Sequence, residues 1–257
     1  MKKIMVMSLI VFLMLGCLFV MRTGIVNAQN ETVMNDLQTG KDLYLKGRKM
    51  FYNAENTLDV VRATWLSSKD SFAKLAEGDL KCYWLAQVEF SLAELDETMG
   101  NNKEANIGFS KSNDLVKKAI EYNKKFSDAY RLLADTYMRL MDYNGPLYSV
   151  SHGPEALRLT KKAFQLDTQN FTALISSGIY YINAPKIGGG NIGKGMADLK
   201  KALASKDSFD QFLAHVWLGR AYLKKGNKTE ALDNFNQALR IYPNSSWAKR
   251  FASQCNK

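Results

Sequence analysis

Residues 212–243 constrain the fold of this chain more than any other stretch. The small residues Gly219, Ala231 and Ala238 stand among large ones in two successive runs, each with helical spacing. Small residues at a helix crossing let two backbones approach, and aromatic side chains fill the space beside them. Gly226, between the runs, is a typical helix stop. The stretch therefore predicts a helical hairpin.

Similar helix endings recur earlier in the chain. Ala119, Ala163, Ala202 and Ala238 each close a comparable apolar run, at intervals of 44, 39 and 36 residues. A single hairpin cannot bury its own apolar face, so recurrence predicts stacked neighbours. No segment alternates convincingly between apolar and polar residues, which argues against a sheet. The predicted fold class is all-α.

The order and spacing of these residues resemble the tetratricopeptide repeat, with His215 in place of the tryptophan usual near its start. The resemblance implies a right-handed α-solenoid of four to five hairpins. Residues 30–78 show two helical patterns without the full motif and fit a degenerate first hairpin. The expected repeats are residues 78–126, 127–169, 170–211 and 212–245. Residues 246–257, with Trp247 and Phe251 on one face, fit a capping helix.

Residues 1–28 have the pattern of an export signal. A short basic start precedes an almost wholly apolar run over residues 4–21, and Ala28 ends a small-residue site for cleavage. Cleavage after Ala28, lipidation at Cys17 in a loose lipoprotein box, and retention as an uncleaved anchor all remain open. The predicted location is the periplasm or cell envelope, with residues 29–257 forming the solenoid.

Charge and cysteine content suggest no further class of partner. Loss of residues 1–28 removes three basic residues and no acidic one, so the formal net charge falls from +10 to +7. The excess basic residues form no clustered tract of the kind that binds nucleic acid or anionic lipid. We therefore predict solvated helix faces and no nucleic-acid partner. Cys82 is expected to be a buried thiol, and Cys255 an exposed one in the tail, where it would be free to link two copies.

Two inserted segments interrupt the repeats. Residues 141–153 are too apolar for a solvated loop, so they either fold back on the helices or contribute to a binding pocket. Residues 183–194 contain three consecutive glycines, but neither the preceding helix nor the residue after Lys194 suits a phosphate-binding loop. A tight turn before a helix over residues 192–204 is the better prediction. This segment also loosely resembles the periplasmic T component of tripartite solute transporters.

The sequence offers little catalytic chemistry. Only two histidines occur: His215 fits a structural role in a helix, and His152 in the first insertion is a weak candidate for a ligand or base. No metalloprotease, paired-cysteine or serine-hydrolase motif is found. We predict no catalytic residues, no metal site and no cofactor.

The resemblance implies a concave groove lined by the first helix of each hairpin, where such repeats bind an extended peptide or a partner helix. The matching positions are Tyr83, Gln87 and Phe90; Asp128, Arg131, Asp135 and Met138; Ile175, Ile179 and Ile182; and Val216, Arg220, Leu223 and Lys224. The lysine–asparagine clamp that holds a carboxylate in some members is absent. The isoleucine row is either covered by the neighbouring insertion or the end helix, or open as an apolar slot for a partner helix or an oily ligand.

The expected function is a noncatalytic scaffold that docks a protein partner through this groove. The alternative is a solute- or lipid-binding accessory of a transporter, which would hold a small apolar ligand inside the solenoid. A closed apolar cavity near Ile175, Ile179 and Tyr148 would favour the alternative. Membrane contact is expected only through a lipid or N-terminal anchor.

Overall fold

The computed structural model describes residues 34–255, so the predicted export signal and the last two residues lie outside the described part of the chain. All regular structure in the described residues is helical. The helices are α1 (34–52), α2 (Leu58–Ala73), α3 (Asp79–Thr98), α4 (Asn102–Tyr122), α5 (Ser127–Leu166), α6 (Phe171–Asn183), α7 (Ile192–Ala202), α8 (Ser208–Lys224), α9 (Lys228–Ile241) and α10 (Ser246–Cys255).

Consecutive helices pack in pairs, which confirms the predicted α-solenoid. The pairs are α1 with α2, α3 with α4, the two halves of α5, α6 with α7, and α8 with α9, and α10 packs on α9. Helix starts follow local chemistry. The side chains of Thr57, Asn170 and Asn191 accept hydrogen bonds from the backbone N–H groups of Val60, Ala173 and Lys194, which would otherwise lack a partner.

The two helices of the last hairpin approach each other closely at a glycine. A Cβ added to Gly219 of α8 would lie only 2.5 Å from Phe235 Cε1 of α9, and both residues are buried. The first hairpin repeats this arrangement, since a Cβ on Gly40 of α1 would lie 2.5 Å from Phe72 Cε1 of α2. The same crossing therefore occurs at both ends of the stack, although the sequence of the first hairpin lacks the full motif.

The predicted loop over residues 141–153 is wrong, because these residues are helical on both sides of a single break at Gly145. Gly145 has φ 77° and ψ −177°, a conformation that favours glycine, and Pro146 begins the second half of α5 directly after it. The aromatic side chains of Tyr143 and Tyr148 pack against the core, as expected, but Leu147 and Val150 remain 83% and 74% exposed. The hairpin thus turns at one residue without a loop.

The turn predicted in residues 183–194 is present. Lys186–Gly188 form a short 3₁₀ turn, and Tyr180 donates a hydrogen bond of 2.6 Å to the carbonyl of Gly188. Asn191 then caps α7, which ends at Ala202, slightly earlier than predicted. Ile187, at the tip of this turn, is 99% exposed.

The two ends of the solenoid touch. Arg48 of α1 forms an ion pair of 3.2 Å with Asp207, and Tyr52 packs on Phe209 with 4.8 Å between ring centroids. The backbone N–H of Asn244 donates a hydrogen bond of 2.8 Å to the side chain of Asn53. The first hairpin therefore contacts the last one and the turn before α10, so the stack closes on itself.

The two cysteines in the described residues are both buried. Cys82 lies in the core cluster of α3 and α4, as predicted. Cys255 is only 9% exposed, because α10 packs its apolar face, including Phe251 and Ala248, on the last hairpin. The prediction of an exposed tail thiol is therefore wrong.

Asp210 of α8 is a buried carboxylate that links neighbouring hairpins. It accepts hydrogen bonds of 2.9 Å from Thr172 of α6 and 2.7 Å from Ser205. Burial raises the pKa of this carboxyl above its ordinary value, against the opposing effect of the two hydrogen bonds. Burial of the ionised form is thus a cost that the fold carries at neutral pH.

Replacement of Asp210 by asparagine is expected to leave thermal stability unchanged or higher at neutral pH. Because the folded-state pKa of Asp210 is raised, its favourable contribution is present at low pH and is lost as the pH rises through that pKa. The thermal stability of the parent protein relative to that of the variant should therefore increase as the pH falls toward about 4. Melting temperatures of both proteins across that range give the test, and a constant difference would contradict the expectation.

Candidate binding surface

The first helices of the hairpins contact one another through polar side chains that face the inside of the solenoid. We call this side the inner face. Its contacts join α1 to α3 through Tyr44 and Ser91, α3 to α5 through Gln87 and Arg131, and α6 to α8 through Thr172 and Asp210. The pair of Arg48 and Asp207 then joins α1 to the start of α8. Between α5 and α6, the side chain of Asn170 donates a hydrogen bond of 2.9 Å to Asp128, so the inner face is a connected ring of polar contacts.

Arg131 donates several of the hydrogen bonds on the inner face. Its guanidinium donates hydrogen bonds of 3.1 Å to Tyr83 Oη, 2.9 Å to Gln87 Oε1 and 3.0 Å to Asp135 Oδ2. Arg131, Tyr83 and Gln87 are all buried. Three of the residues predicted to line a groove therefore bind one another, which leaves little of their surface for a partner.

Two carboxylates on the inner face have perturbed titration. Burial raises the pKa of Asp135 above its ordinary value, although the Arg131 guanidinium acts in the opposite direction. Burial likewise raises the pKa of Glu94, against the effects of Arg139 and of a 3.0 Å hydrogen bond from Tyr52. Both carboxylates lie in an enclosed environment, where charge is costly without a partner.

The isoleucine row is packed inside the chain. Ile175 and Ile182 are 1% and 3% exposed, and both belong to the core cluster that includes Leu199 of α7 and Leu218 of α8. Ile179 is half-buried against the same cluster. Phe90, another predicted groove residue, is also buried and packs on Phe109. These side chains belong to the core, and the row is covered by α7 and α8.

The inner face is accessible at α8 and at the end of the first half of α5, and we call this region the open end. Met138 and Asp135 are half-buried there, and Lys224 is exposed. Lys224 donates hydrogen bonds of 2.7 Å to the carbonyl of Ile182 and 3.1 Å to Asn183 Oδ1, so it satisfies groups at the end of α6. This open end is the part of the predicted groove that a partner can reach.

Arg220 is a half-buried cation at the open end. Its guanidinium lies 3.9 Å from the ring centroid of Trp217 and 5.0 Å from that of Phe251. Among residues 34–255, no carboxylate lies within 4.0 Å of it. Burial lowers its pKa to about 10, and the nearby Arg250 adds to the decrease. A cation held in this way is available to a partner's carboxylate.

Several residues of the inner face were not predicted from the sequence. Tyr44 and Tyr52 lie in the first hairpin, where no repeat motif could assign them a face, and both reach across to α3. Ser176 neighbours a predicted position but was overlooked because the isoleucines around it dominated the pattern. A helical projection of α3 could have found Glu94, since it lies seven positions after Gln87.

Potential metal-ligating side chains are dispersed among the described residues. No cluster of three or more histidine, cysteine, aspartate or glutamate side chains occurs among them. His152 stacks on Tyr148 at 3.8 Å between ring centroids, and His215 faces Asn234 at 3.2 Å. Within residues 34–255, no helix is both long and apolar enough to cross a bilayer.

Comparison with known proteins supports the repeat. Residues 212–245 match the family model described as Tetratricopeptide repeat. No curated protein matches the chain by sequence. Among solved structures, the chain is similar to TTC0263, a thermophilic TPR protein of Thermus thermophilus, with 20% identity and a TM-score of 0.62 over 88% of this chain and 100% of that one. This likeness shows the fold of a tetratricopeptide-repeat solenoid.

Two further solved structures are similar to a lesser degree. An IFIT1 monomeric mutant with Gppp-AAAA has a TM-score of 0.50 at 13% identity, over 87% of this chain and 62% of that one. YrrB, described as a TPR protein with an unusual peptide-binding site, has a TM-score of 0.44 at 15% identity, over 79% of this chain and 87% of that one. Neither likeness extends to function.

Proposed function

We propose that this protein is a noncatalytic scaffold of the periplasm or cell envelope, where it docks a protein partner through the open end of the inner face. The tetratricopeptide-repeat fold supports a protein-interaction role of this kind. The observation that carries the proposal is Arg220, a half-buried cation stacked on Trp217 with no carboxylate beside it among the described residues. A partner carboxylate placed there would offset the cost of burying this charge.

The partner therefore presents an acidic side chain to α8. Arg220 would bind it, while the accessible parts of Met138, Ile179 and the stem of Lys224 would supply further apolar contact on the inner face. The rest of the predicted groove acts as support, because Arg131, Tyr83 and Gln87 bind each other. No observation favours the solute-binding alternative, since the isoleucine row is packed against α7 and α8.

Site-specific photocrosslinking in intact cells tests this surface. A photoreactive residue at Met138 or Ile179 is expected to yield a defined adduct with one partner protein. The same residue at Ile107, which is 47% exposed on the outer helix α4, should yield none. Adducts formed equally at all three positions, or only at Ile187 on the edge turn, would contradict docking through the inner face.

A charge-removing variant tests the role of Arg220. Arg220→Gln should reduce the adduct at Met138 by about tenfold, because a charge-assisted contact of this kind contributes roughly 1.5–3 kcal/mol. Arg240→Gln is the matched control, since Arg240 is an exposed arginine on the neighbouring helix α9. Equal adduct yields from both variants would remove Arg220 from the site. A cytoplasmic partner would refute the proposed location while leaving the docking surface intact.

A further inference from the structure

Three lysine pairs occupy equivalent positions on the outer side of the solenoid. Each pair directly precedes an alanine that is 0% exposed, namely Ala119, Ala163 and Ala202. Since the buried alanine fixes the rotation of its helix, the two residues before it have equivalent orientations in each hairpin. The ammonium of Lys117 also lies 5.5 Å from the ring centroid of Tyr137 on α5. The pairs lie on α4, the second half of α5, and α7. We call them the lysine row, and its members are Lys117, Lys118, Lys161, Lys162, Lys200 and Lys201.

The folded chain gives these lysines no ionic partner. Within the described residues, none of the six lies within 4.0 Å of a carboxylate. Five of them are exposed, and Lys162 is half-buried. Placing like charges at the same level of stacked helices is unfavourable by itself. The arrangement therefore requires a reason beyond the stability of the fold.

Helix dipoles explain only part of the row. A basic residue in the last turn of a helix is favourable because it faces the carbonyl end. Lys200 and Lys201 do lie in the last turn of α7, but the last turns of α4 and α5 contain no basic residue. In the last hairpin, uncharged Asn236 and Gln237 precede the equivalent alanine. The row is thus confined to the three middle hairpins.

The chemistry of the row suits a surface that carries many mobile negative charges. It contains lysine throughout and no arginine, the residue that binds a single phosphate in fixed bidentate geometry. Tyr122, 58% exposed at the end of α4, adds an amphipathic ring of the kind found at lipid headgroups. Asp114 and Glu121 on α4 reduce the local charge, and neither lies within 4.0 Å of a lysine of the row.

We propose that the lysine row docks this protein on the surface of an anionic lipid bilayer. Each lysine side chain near such a surface strengthens binding about fivefold through the negative surface potential, and the attraction decays within a Debye length. A contact of this type needs neither a pocket nor a spanning helix. It places α4, α5 and α7 against the lipid and leaves the inner face and α8 directed toward a protein partner.

Vesicle binding by the full-length chain tests the proposal. The readout is the ratio of binding to phosphatidylcholine vesicles that contain phosphatidylglycerol and to vesicles of phosphatidylcholine alone. The N-terminal segment carries Lys2, Lys3 and Arg22, but its contribution is the same in the parent protein and in the variants, so a comparison of their ratios removes it. The parent protein is expected to prefer the anionic vesicles, and added salt should weaken this preference.

The row variant changes the five exposed members to glutamine: Lys117→Gln, Lys118→Gln, Lys161→Gln, Lys200→Gln and Lys201→Gln. It should lower the binding ratio by about 3,000-fold, because five contributions of about fivefold each are removed. The control variant changes five exposed lysines elsewhere and has the same net charge: Lys46→Gln, Lys103→Gln, Lys225→Gln, Lys228→Gln and Lys249→Gln. It should keep most of the preference.

Three results would overturn the proposal. Equal losses in both variants would assign the effect to net charge alone, and an unchanged ratio in the row variant would exclude the row. Row-dependent binding of soluble polyphosphate with no preference for anionic vesicles would identify a polyanion site in place of a membrane surface. Unfolding curves of all three proteins should coincide, because the changed side chains are exposed.

Discussion

Replacing Gly219 by leucine is expected to destabilise the protein by about 1–3 kcal/mol or more. Even a Cβ at this position would lie 2.5 Å from Phe235 Cε1, and neither residue is free to move, since both are buried between α8 and α9. The larger side chain forces the two helices apart. The measurement is the free energy of unfolding in urea.

Two further variants separate overpacking from a general intolerance of glycine replacement. Gly193→Ala, near the start of α7, places its Cβ no closer than 3.4 Å to Asn191 Oδ1, so it should be neutral or stabilising by about 0.5 kcal/mol. Phe235→Ala should partly relieve Gly219→Leu, so the double variant would lose less than the sum of the two single losses. An unchanged unfolding midpoint for Gly219→Leu would rule out the proposed crossing.

Replacing Arg131 by methionine is expected to cost about 3 kcal/mol near neutral pH. The change leaves Tyr83, Gln87 and Asp135 without their shared donor, and the carboxylate of Asp135 remains enclosed without a cation. Melting temperature and urea unfolding both report this loss. A loss under about 0.5 kcal/mol would show that the cluster contributes little, as exposed ion pairs do.

The cost of losing Arg131 should depend on pH. In the parent protein, burial raises the pKa of Asp135 and Arg131 opposes that increase. Without Arg131 the folded-state pKa rises further above the unfolded value, so the penalty is full at high pH and shrinks as the pH falls through that pKa. Adding Asp135→Asn should restore part of the stability at neutral pH. A deficit that is the same at about pH 5 and about pH 8 would contradict this account.

The sequence was sufficient for the architecture wherever small and large residues recur in order. Gly219 with Phe235, and the series of buried alanines from Ala119 to Ala238, predicted the helix pairs because those contacts are local and periodic. The prediction of a loop over residues 141–153 was wrong. A glycine followed by a proline also fits a loop, and only the packing of Tyr143 and Tyr148 against the core indicates a helix.

The candidate site was less accessible to sequence reasoning. Helical spacing placed Arg131 and Lys224 on one face, but it could not show that Arg131 binds Tyr83 and Gln87 of the previous hairpin. Nor could it show that the lysine pairs, separated by about 40 residues, stand in one row, because stacking of hairpins alone brings them together. Cys255 was misplaced for the same reason, since α10 is buried by distant residues.

The contact of α1 with the start of α8 and with the turn before α10 changes how this protein is expected to unfold. An open array of repeats can lose its outermost unit without disturbing the others, because each unit touches only its neighbours. Here Tyr52 and Arg48 give the first unit a second neighbour in Phe209 and Asp207, so neither terminus is a free edge from which fraying can start. Unfolding of the array is therefore concerted, so a change that destabilises one end of the array also destabilises the other.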